Sequence, residues 1–309
     1  MTDLAAAYDD LRPLMFSVAY RMLGSVAEAE DVVQEAFLRM HTSLAGGGEP
    51  RSPEAFATTV TTRLAIDTLR SARKRREQYV GSWLPEPLLE PATGDPAWRV
   101  EMDETVTLAF LVLLEQLSPV ERAVFVLREA MGYEYADIAE VVGKSEANCR
   151  QLYSRARRRV EADRPTAATP SEQQRAVATQ FLEALRAADV DRLERMLAHD
   201  VVFYGDGGGK VAAVQKPVAG SVRVGRFLAG LHRRAARFGV RYEETTANGQ
   251  PAVLVRTTQG AVLGVLTIDV ADGKVVALRN QVNPDKLSHL GPVGDLNAMT
   301  GATGTAAGD

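Results

Sequence analysis

The sequence predicts a multidomain protein in which two all-α helical blocks, the second with a helix-turn-helix, precede an α+β domain shaped like a cone. Three observations support this fold class. Apolar residues recur at helical spacing through the first 160 residues. Two short helical patterns meet at Gly143, inside residues 133–160. Beyond about residue 172, short strand-like runs alternate with Gly-containing pairs that are typical of hairpins.

Composition and charge limit the functions that the chain can have. Its 309 residues are enough for two or three domains, and 36 Lys and Arg against 40 Asp and Glu give a net charge of −4. Binding to nucleic acid must therefore come from local basic clusters, at residues 70–76 and 144–159. The single cysteine, Cys149, excludes an intrachain disulfide and a Cys-rich zinc site. The acidic N-terminus is no signal peptide and no apolar run reaches the roughly 20 residues needed to cross a bilayer, so we expect a cytoplasmic protein without membrane insertion.

The first helical block, residues 1–79, contains three helical patterns. The first runs from about Leu4 to Leu23 and stops at Gly24, and a capping box at residues 25–28 opens the second. The second pattern has a polar face, which taken alone is usually only solvated. Its outward residues are Asp31, Gln34, Glu35 and Arg39.

The third helical pattern ends in a basic run, RSARKRR. Cations at a helix C-terminus interact favourably with the helix dipole. Five Lys or Arg among residues 70–76 exceed what the dipole requires. Contact with nucleic-acid phosphates accounts for them better.

Residues 80–96, VGSWLPEPLLEPATGDP, form a predicted linker. Its four prolines disfavour a regular helix and favour an extended path. Residues 81–117 carry seven acids and one Arg, so we expect this part to avoid DNA phosphates. Trp83 lies beside prolines, and an exposed Trp in such a setting usually docks on another surface.

The second block, residues 97–163, predicts a helix-turn-helix. A capping box at residues 118–121 starts one helix, Gly143 ends the next, and Ser145 caps the last. An isolated basic helix is more often a solvated surface helix, but this one has an apolar stripe through Cys149 and Val160 and a polar opposite face. A recognition helix in a major groove needs this division. We expect base contacts from Arg150, Gln151 and Ser154, phosphate contacts from Asn148, Arg155 and Arg158, and Lys144 at the turn.

After a spacer at residues 164–172, the pattern changes to an α+β domain over residues 173–290. Two helical patterns precede the strand VVFYGD, and a helix near residues 221–237 precedes four strand-like runs, at 240–246, 251–257, 261–269 and 274–282. The Gly-containing pairs at 248–249, 259–260 and 272–273 favour hairpins between these runs. The order predicts an antiparallel meander within a curved sheet that wraps a helix. The tail, residues 291–309, has little to bury and is predicted to be disordered.

Several of these stretches resemble extracytoplasmic-function sigma factors. The stretch LSPVERAVFVLREAMGYEYADIAEVVGKSEANCRQLYSRARRRV resembles region 4, AEDVVQEAFLRM resembles region 2.2, and the helix ending in RSARKRR resembles regions 2.3 and 2.4. The resemblance implies −35 recognition by the second block and binding of core RNA polymerase by the outward face of the second helix. It also implies opening and reading of the −10 promoter DNA. The residues implied at −10 are Arg63, Asp67, Arg70, Arg73 and Arg76.

The sequence departs from the family pattern in the −10 region. The family usually has Trp where Phe56 stands and Asn near Arg63. The base preference at −10 is therefore left open.

Three motifs, WLPEP, DGGGK and NPDKL in this order, resemble the SigJ-like group of these sigma factors, which carries a C-terminal SnoaL-like domain of the nuclear-transport-factor-2-like fold. The resemblance implies that this domain folds back on the sigma core and tunes its activity. The implied interdomain residues are Trp83, Leu84, Pro85, Asp206, Gly207, Gly208, Gly209, Lys210, Asn283, Pro284, Asp285 and Lys286.

Two other function classes remain as alternatives. A DNA-tethered cyclase or isomerase would use His199, Asp200, Asp206 and His232 as acid-base candidates, but no spacing fixes a pair, and His232 reads as a surface residue. A ligand-sensing transcription factor would not engage polymerase. The helix that resembles region 2.2 argues against both. We expect no catalysis, metal or cofactor, and a small-molecule ligand in the C-terminal domain is left open.

Overall fold

The computed structural model describes residues 4–45, 52–90, 106–162 and 171–300, which divide into two compact units. Of these residues, the first unit contains residues 4–45, 52–77, 106 and 110–162. The second takes residues 78–90, 107–109 and 171–300. Among the helices of these residues, none is both long enough and apolar enough to cross a membrane.

The first unit begins with helices α1 (Leu4–Leu23), α2 (Val26–Ala45) and α3 (Pro53–Glu77). Gly24 ends α1 in the left-handed region, with φ of 65°, and the Ser25 hydroxyl accepts a hydrogen bond from the Glu28 amide at 3.2 Å. The helices pack through the apolar residues Leu11, Met15, Val33, Ala36, Met40 and Ala57.

The same unit continues with helix α4 (Leu108–Leu114) from Phe110 onward, α5 (Pro119–Phe125), a π-helical turn (Val126–Ala130), α6 (Tyr135–Val142) and α7 (Glu146–Ala162). Both hydrogen bonds of the predicted capping box at Ser118 and Glu121 are present. Gly143 ends α6 with φ of 65°, and Ser145 caps α7, as predicted. Helix-turn-helix packing buries Val124, Leu127, Ile138, Val141 and Cys149.

After residue 96, the apolar spacing of Met102, Val106, Phe110, Leu113 and Leu117 predicts a helix with these side chains inward. Helix α4 differs from this stripe. Leu111 and Leu114 are fully buried, whereas Leu113, predicted to face inward, is only half-buried. The predicted stripe assumed a helix that starts near Met102, a residue outside the described ranges, and α4 begins later, at Leu108. Val106 and Leu117, two other members of the stripe, are buried as predicted, so the difference is confined to α4 itself.

The second unit contains helices α8 (Ser171–Arg186) and α9 (Val190–Met196), strands β1 (Leu197–Asp206) and β2 (Val218–Ala219), helix α10 (Ser221–Ala236), strands β3 (Arg241–Ala247), β4 (Gln250–Arg256), β5 (Val262–Ala271) and β6 (Lys274–Gln281), and helix α11 (Leu296–Thr300). Within the described residues the strands form one sheet in the order β2-β1-β6-β5-β4-β3. Strands β1 and β6 are parallel and the other neighbours are antiparallel. Helices α8 and α10 cover one face through an apolar core that includes Phe181, Phe203 and Leu228.

The hairpin turns follow the prediction from their residue pairs. Asn248 and Gly249 have φ of 52° and 71°, and Asp272 and Gly273 have φ of 49° and 70°. Positive φ at both turn positions matches the twist of two-residue hairpins, and Asn, Asp and Gly tolerate it best. The predicted meander is confirmed.

Two segments predicted to be irregular are part of the second unit. Leu89 bridges Ala247 on the edge strand β3, and the Leu88 amide donates to the Asn248 side chain at 3.0 Å. At the other end of the chain, Val293 bridges Val262, and the following residues form α11. The prediction of disorder from residue 291 is therefore wrong for residues 292–300, because sheet pairing supplies backbone partners that composition does not reveal.

Candidate DNA-binding helix and docked segment

Helix α7 exposes the polar face predicted to meet DNA. Its apolar side is anchored by Cys149, Ala156 and Val160, which are at most 3% exposed. Residues exposed on and beside its other side are Lys144, Asn148, Arg150, Gln151, Ser154, Arg155 and Arg158. Five of them, Arg150, Gln151, Ser154, Arg155 and Arg158, line one shallow surface groove. The helix therefore presents donors and positive charge on a single face.

The arginines of α7 differ in their partners. Arg150 pairs with Glu146 at 2.9 Å and lies 5.0 Å from the centre of the Tyr135 ring. Arg155 and Arg158 make no ion pair with any described residue. The charge of Arg155 acts on Glu121 without a direct ion pair, and both guanidinium groups stay exposed, as a phosphate contact requires.

On α3, the residues implied at −10 fall into two groups. Asp67 and Arg70 are exposed and pair with each other at 2.8 Å. Arg63 instead donates to the backbone carbonyls of Glu140 and Val141, at 2.9 Å each. These carbonyls lie at the C-terminus of α6, where free acceptors and the helix dipole favour a cation.

The basic end of α3 is also engaged within the first unit. Arg76 bonds to Glu115 and donates to the Leu23 carbonyl at 2.6 Å, and Arg73 lies 3.5 Å from the Leu117 carbonyl. Burial disfavours the charge of Glu115, but Arg122 and Arg76 outweigh it and hold the pKa of Glu115 below its usual value. Arg63, Arg73 and Arg76 thus form internal contacts here, which the basic pattern alone did not predict.

The outward face of α2 is exposed as the sequence predicts. Asp31, Gln34, Glu35 and Arg39 are all exposed, and Arg39 pairs with Glu35 at 2.7 Å across one turn. Leu38, on the same side of the helix, is 64% exposed. A single exposed leucine is common on protein surfaces, so the assignment of this face to polymerase rests on its resemblance to region 2.2.

In the second unit, the segment of residues 79–90, called the docked segment below, packs on the ends of β1 and β6. Asp206 is fully buried and accepts two hydrogen bonds from the docked segment. The donors are the Tyr79 hydroxyl, at 2.6 Å, and the Leu84 amide, at 2.8 Å. Gln281 adds a third bond at 3.2 Å. A buried carboxylate needs such partners, because burying it unpaired is costly.

Lys286 supplies the charge that balances Asp206. Its ammonium donates to the Asp206 carboxylate and to the Leu84 carbonyl, both at 2.7 Å. It also lies 4.3 Å from the Trp83 ring centre and 4.8 Å from the Tyr79 ring centre. Lys286 therefore connects Asp206 to the docked segment, and loss of either charge would leave the other buried without its partner.

The Gly-rich loop explains why DGGGK contains so few side chains. A Cβ atom on Gly207 would lie 2.5 Å from the Val211 carbonyl oxygen, and one on Gly208 would lie 2.3 Å from the Asn283 amide nitrogen. Gly208 and Gly209 have φ of 61° and 72°. The loop closes with a Lys210–Asp285 ion pair.

The NPDKL motif forms a 3-10 turn at Pro284–Lys286 that aims its side chains at the docked segment. The Asn283 side chain accepts from the Asp285 amide at 3.1 Å and donates to the Tyr79 hydroxyl at 2.8 Å. The structure brings the implied residues of WLPEP, DGGGK and NPDKL into one cluster within the second unit. We did not predict Tyr79, Gln281 or His289, which bonds the Pro87 carbonyl at 2.8 Å; they lie just outside the motifs and carry no pattern of their own.

The acid-base candidates do not converge. His199 and Asp200 are exposed on β1, and Asp206 is committed to the docked segment. His232 is not a surface residue as predicted: it is half-buried, and its Nδ1 atom lies 3.1 Å from the Tyr242 hydroxyl. Burial lowers the pKa of His232 and raises that of Tyr242.

His232 and Tyr242 line a cavity of about 140 Å³ inside the second unit. Most of its wall is apolar, and Asn280 adds a third polar group. Three residues at the strand ends face this cavity: Gly205, Asn280 and Val282. The residue that follows each of them contacts the docked segment; these are Asp206, Gln281 and Asn283. Successive residues of a strand point to opposite sides, so the strand ends separate the cavity from the docked segment.

The sequence matches three protein families in chain order. Residues 7–75 match Sigma-70 region 2, residues 107–160 match Sigma-70 region 4, and residues 178–279 match the SnoaL-like domain. The helical first unit and the α+β sheet of the second unit agree with these matches.

Similar proteins are known along almost the whole chain. The chain is 39% identical over 291 residues to the ECF RNA polymerase sigma factor SigJ of Mycobacterium tuberculosis, covering 91% of this chain and 92% of that protein. It is 35% identical over 289 residues to the probable ECF sigma factor SigI of the same organism, covering 93% and 96%. The crystal structure of SigJ superposes with a TM-score of 0.75 at 35% identity, over 92% of this chain and 98% of that one. These relatives are sigma factors, which are not enzymes, and the chain belongs to the ECF RNA polymerase sigma factor family.

Proposed function

We propose that this sigma factor recognises a −35 element with α7 and a −10 element with α3, and binds core RNA polymerase through the outward face of α2. The observation that carries the proposal is the groove on α7, whose five lining residues are all donors or cations. Two of its arginines have no ion-pair partner among the described residues. Such a face fits a duplex with its phosphates.

The −35 assignment predicts a difference between two substitutions on α7. Gln151→Ala removes a base-edge contact and is expected to change the preferred −35 sequence, by about 1–3 kcal/mol at one position. Arg158→Gln removes a phosphate contact and is expected to weaken all sequences alike and to flatten the salt dependence by about one unit. Binding is measured on promoter DNA selected by the full-length protein. Equal weakening of every sequence by both substitutions contradicts the assignment of Gln151 to bases.

The second unit is proposed to tune this activity through the docked segment. Thirty residues, 78–107, connect α3 to α4. A free connection of that length reaches roughly 100 Å when fully extended. Docking fixes residues 79–90 on the second unit, and so restricts the conformations that the connection between the two DNA-binding regions can adopt.

Run-off transcription tests this tuning with purified core polymerase on the selected promoter. Residues 1–309, 1–290 and 1–165 are compared, with Lys286→Met in the full-length chain as a milder change that loosens the docked segment. We expect promoter-dependent transcripts whose yield changes when the second unit is removed or loosened. Equal transcript yields from all four proteins contradict the tuning. If none of the four proteins initiates transcription, the promoter assignments are contradicted.

We further propose a small, neutral ligand for the cavity of the second unit. The cavity is close in volume to an apolar cavity of about 150 Å³ that binds benzene in another protein. Its polar group at His232 and Tyr242 would hydrogen-bond one hydroxyl or carbonyl. Because Gly205 and Asn280 alternate with Asp206 and Gln281, a ligand that moves these strand ends would also move the docked segment.

Phenol is a suitable probe, with Trp83 as the reporter and Trp98→Phe to remove the other tryptophan. We expect saturable phenol binding by calorimetry and a matching change in Trp83 emission. Ala213→Leu fills the cavity and is expected to abolish both. Phenol binding that leaves Trp83 emission unchanged refutes the coupling, and phenol binding that survives Ala213→Leu refutes the site.

A further inference from the structure

Helix α10 carries an unusual concentration of positive charge. Residues 221–241 contain six arginines and no acidic residue, although the chain as a whole is acidic. Elsewhere between residues 171 and 300 there are thirteen acids and ten Lys or Arg. The charge of α10 is therefore a local feature and does not follow from the composition of the domain.

The arginines of α10 lie on one side of the helix. At about 100° per residue, the five that are called the arginine stripe below fall in a sector of roughly 100°. The stripe consists of Arg223, Arg226, Arg233, Arg234 and Arg237, all exposed. From the first to the last, the stripe is about 21 Å long, at 1.5 Å per residue. The opposite side, with Val224 and Leu228, is buried in the domain core.

Within the described residues, no member of the arginine stripe makes an ion pair. The first turn of α10 contains Arg223 and no acid, an arrangement that opposes the helix dipole. Like charges three and four residues apart also repel. A surface helix that needed only solubility would mix both signs of charge.

We propose that the arginine stripe binds the phosphate backbone of duplex DNA, as a contact additional to those of the sigma regions. Guanidinium groups match phosphate oxygens in planar, two-point contacts. A stripe of about 21 Å covers roughly six base pairs of B-DNA, which offer about one negative charge per 1.7 Å. The side of α10 that contains Val224 and Leu228 packs in the core and cannot enter a lipid layer, whereas Val222, Leu231 and Phe238 are exposed. Binding to vesicles is therefore measured beside binding to DNA.

Salt-dependent binding of the full-length protein to a labelled 30-base-pair duplex of unrelated sequence tests the stripe. Arg226→Gln/Arg233→Gln is expected to lower the slope of log K against log[KCl] by about two units and the affinity by roughly tenfold. The matched control Arg175→Gln/Lys216→Gln removes the same charge from exposed positions on α8 and before β2, and is expected to change neither by comparable amounts. Contacts made by α7 are common to all the proteins, so the difference isolates the stripe.

Three outcomes overturn the proposal. An unchanged slope excludes DNA contact by the stripe. An equal loss of slope and affinity in the control variant means that the effect comes from the net charge of the protein and not from the stripe. Loss of binding to vesicles that contain phosphatidylserine, together with an unchanged DNA slope, assigns the stripe to a lipid surface. A second pair, Arg223→Gln/Arg237→Gln, repeats the test at other positions of the stripe. Run-off transcription by the same variants on the selected promoter shows whether the proposed −35 and −10 recognition is retained, which separates it from the contact of the stripe.

Discussion

Asp206 is the residue on which the docked segment depends most. Its carboxylate is fully buried, and Lys286 is the cation that balances it, with a side chain only 9% exposed. Removing one partner of a buried pair leaves the other charge uncompensated, which typically costs about 3–5 kcal/mol. We therefore expect Asp206→Asn to lower the free energy of unfolding by about 3 kcal/mol in urea titrations that follow Trp83.

The matched comparison for this substitution is Asp200→Asn, which changes the same chemistry at an exposed position on β1 and is expected to alter stability by less than about 0.5 kcal/mol. The double variant Asp206→Asn/Lys286→Met removes both charges and is expected to recover part of the loss. If instead the stability losses of Asp206→Asn and Lys286→Met simply add in the double variant, the two side chains are not coupled, and this role of Asp206 is wrong.

Tyr79 makes the docked segment sensitive to alkaline pH. Burial, and then the hydrogen bond to the Asp206 carboxylate, raise the pKa of Tyr79 above its usual value near 10. Below about pH 10 the hydroxyl is protonated in both the folded and the unfolded chain, so its contribution to stability is complete. Above that pH the unfolded chain loses the proton first, and the contribution falls as pH rises toward the raised folded pKa.

Urea unfolding of wild type and Tyr79→Phe between pH 8 and pH 10.5 measures this contribution. The wild type is expected to be more stable at pH 8, by about 1–2 kcal/mol for the two lost hydrogen bonds. Its advantage is expected to shrink above about pH 10. An advantage that stays constant over the whole range is inconsistent with a raised pKa of Tyr79.

At the scale of elements, the Gly-rich loop can be tested against a turn with the same backbone conformation. Gly208 and Gly249 have φ of 61° and 71°, so an alanine is strained to a similar degree at both. A Cβ atom at Gly208 collides with Asn283, whereas one at Gly249 meets nothing within 4 Å. We expect Gly249→Ala to cost about 1 kcal/mol and Gly208→Ala about 2 kcal/mol more, with increased solvent exposure of Trp83 in quenching experiments. Equal costs contradict the close approach of this loop to Asn283.

Elements with a local signal could be predicted from the sequence. Helix α7 has a stripe and a cap, and β3 to β6 have turn pairs that tolerate positive φ, so their positions agree with the structure to within one to two residues. The π-helical turn at Val126–Ala130 and the bridge at Val293 have no such signal. Both depend on backbone partners that are known only when the surrounding residues are in place.

At the scale of the whole molecule, contacts between residues far apart in sequence could be predicted only as far as motifs extend. The resemblance implied that WLPEP, DGGGK and NPDKL lie between the domains, and within the second unit the three motifs come together around Asp206. The engagement of Arg63 with α6 was not predictable, because an arginine on a basic helix fits a phosphate and a helix C-terminus equally well. Charge pattern identifies a cation, and only packing identifies its partner.

This engagement leads to a prediction about the first unit. Arg63 cannot bond the Glu140 and Val141 carbonyls and a promoter phosphate or base at once, and the Tyr133 hydroxyl ties α3 further through Thr58, at 2.9 Å. If Arg63 acts at −10, α3 must separate from α6 when polymerase and promoter bind. Dyes at Ser71→Cys and Lys144→Cys, both exposed, in a Cys149→Ala background report this separation by energy transfer.

We expect transfer efficiency to fall when core polymerase is added and to fall further or stay low with promoter DNA. A dye pair at Ser43→Cys and Ser71→Cys, on α2 and α3 of the same three-helix packing, avoids the proposed polymerase-binding residues, serves as the control and is expected to change little. Efficiency that is unchanged for the first pair, in complexes that still initiate transcription, means that α3 and α6 stay together. In that case Arg63 has a structural role as the cation at the end of α6, and −10 recognition falls to Asp67 and Arg70, which are already exposed.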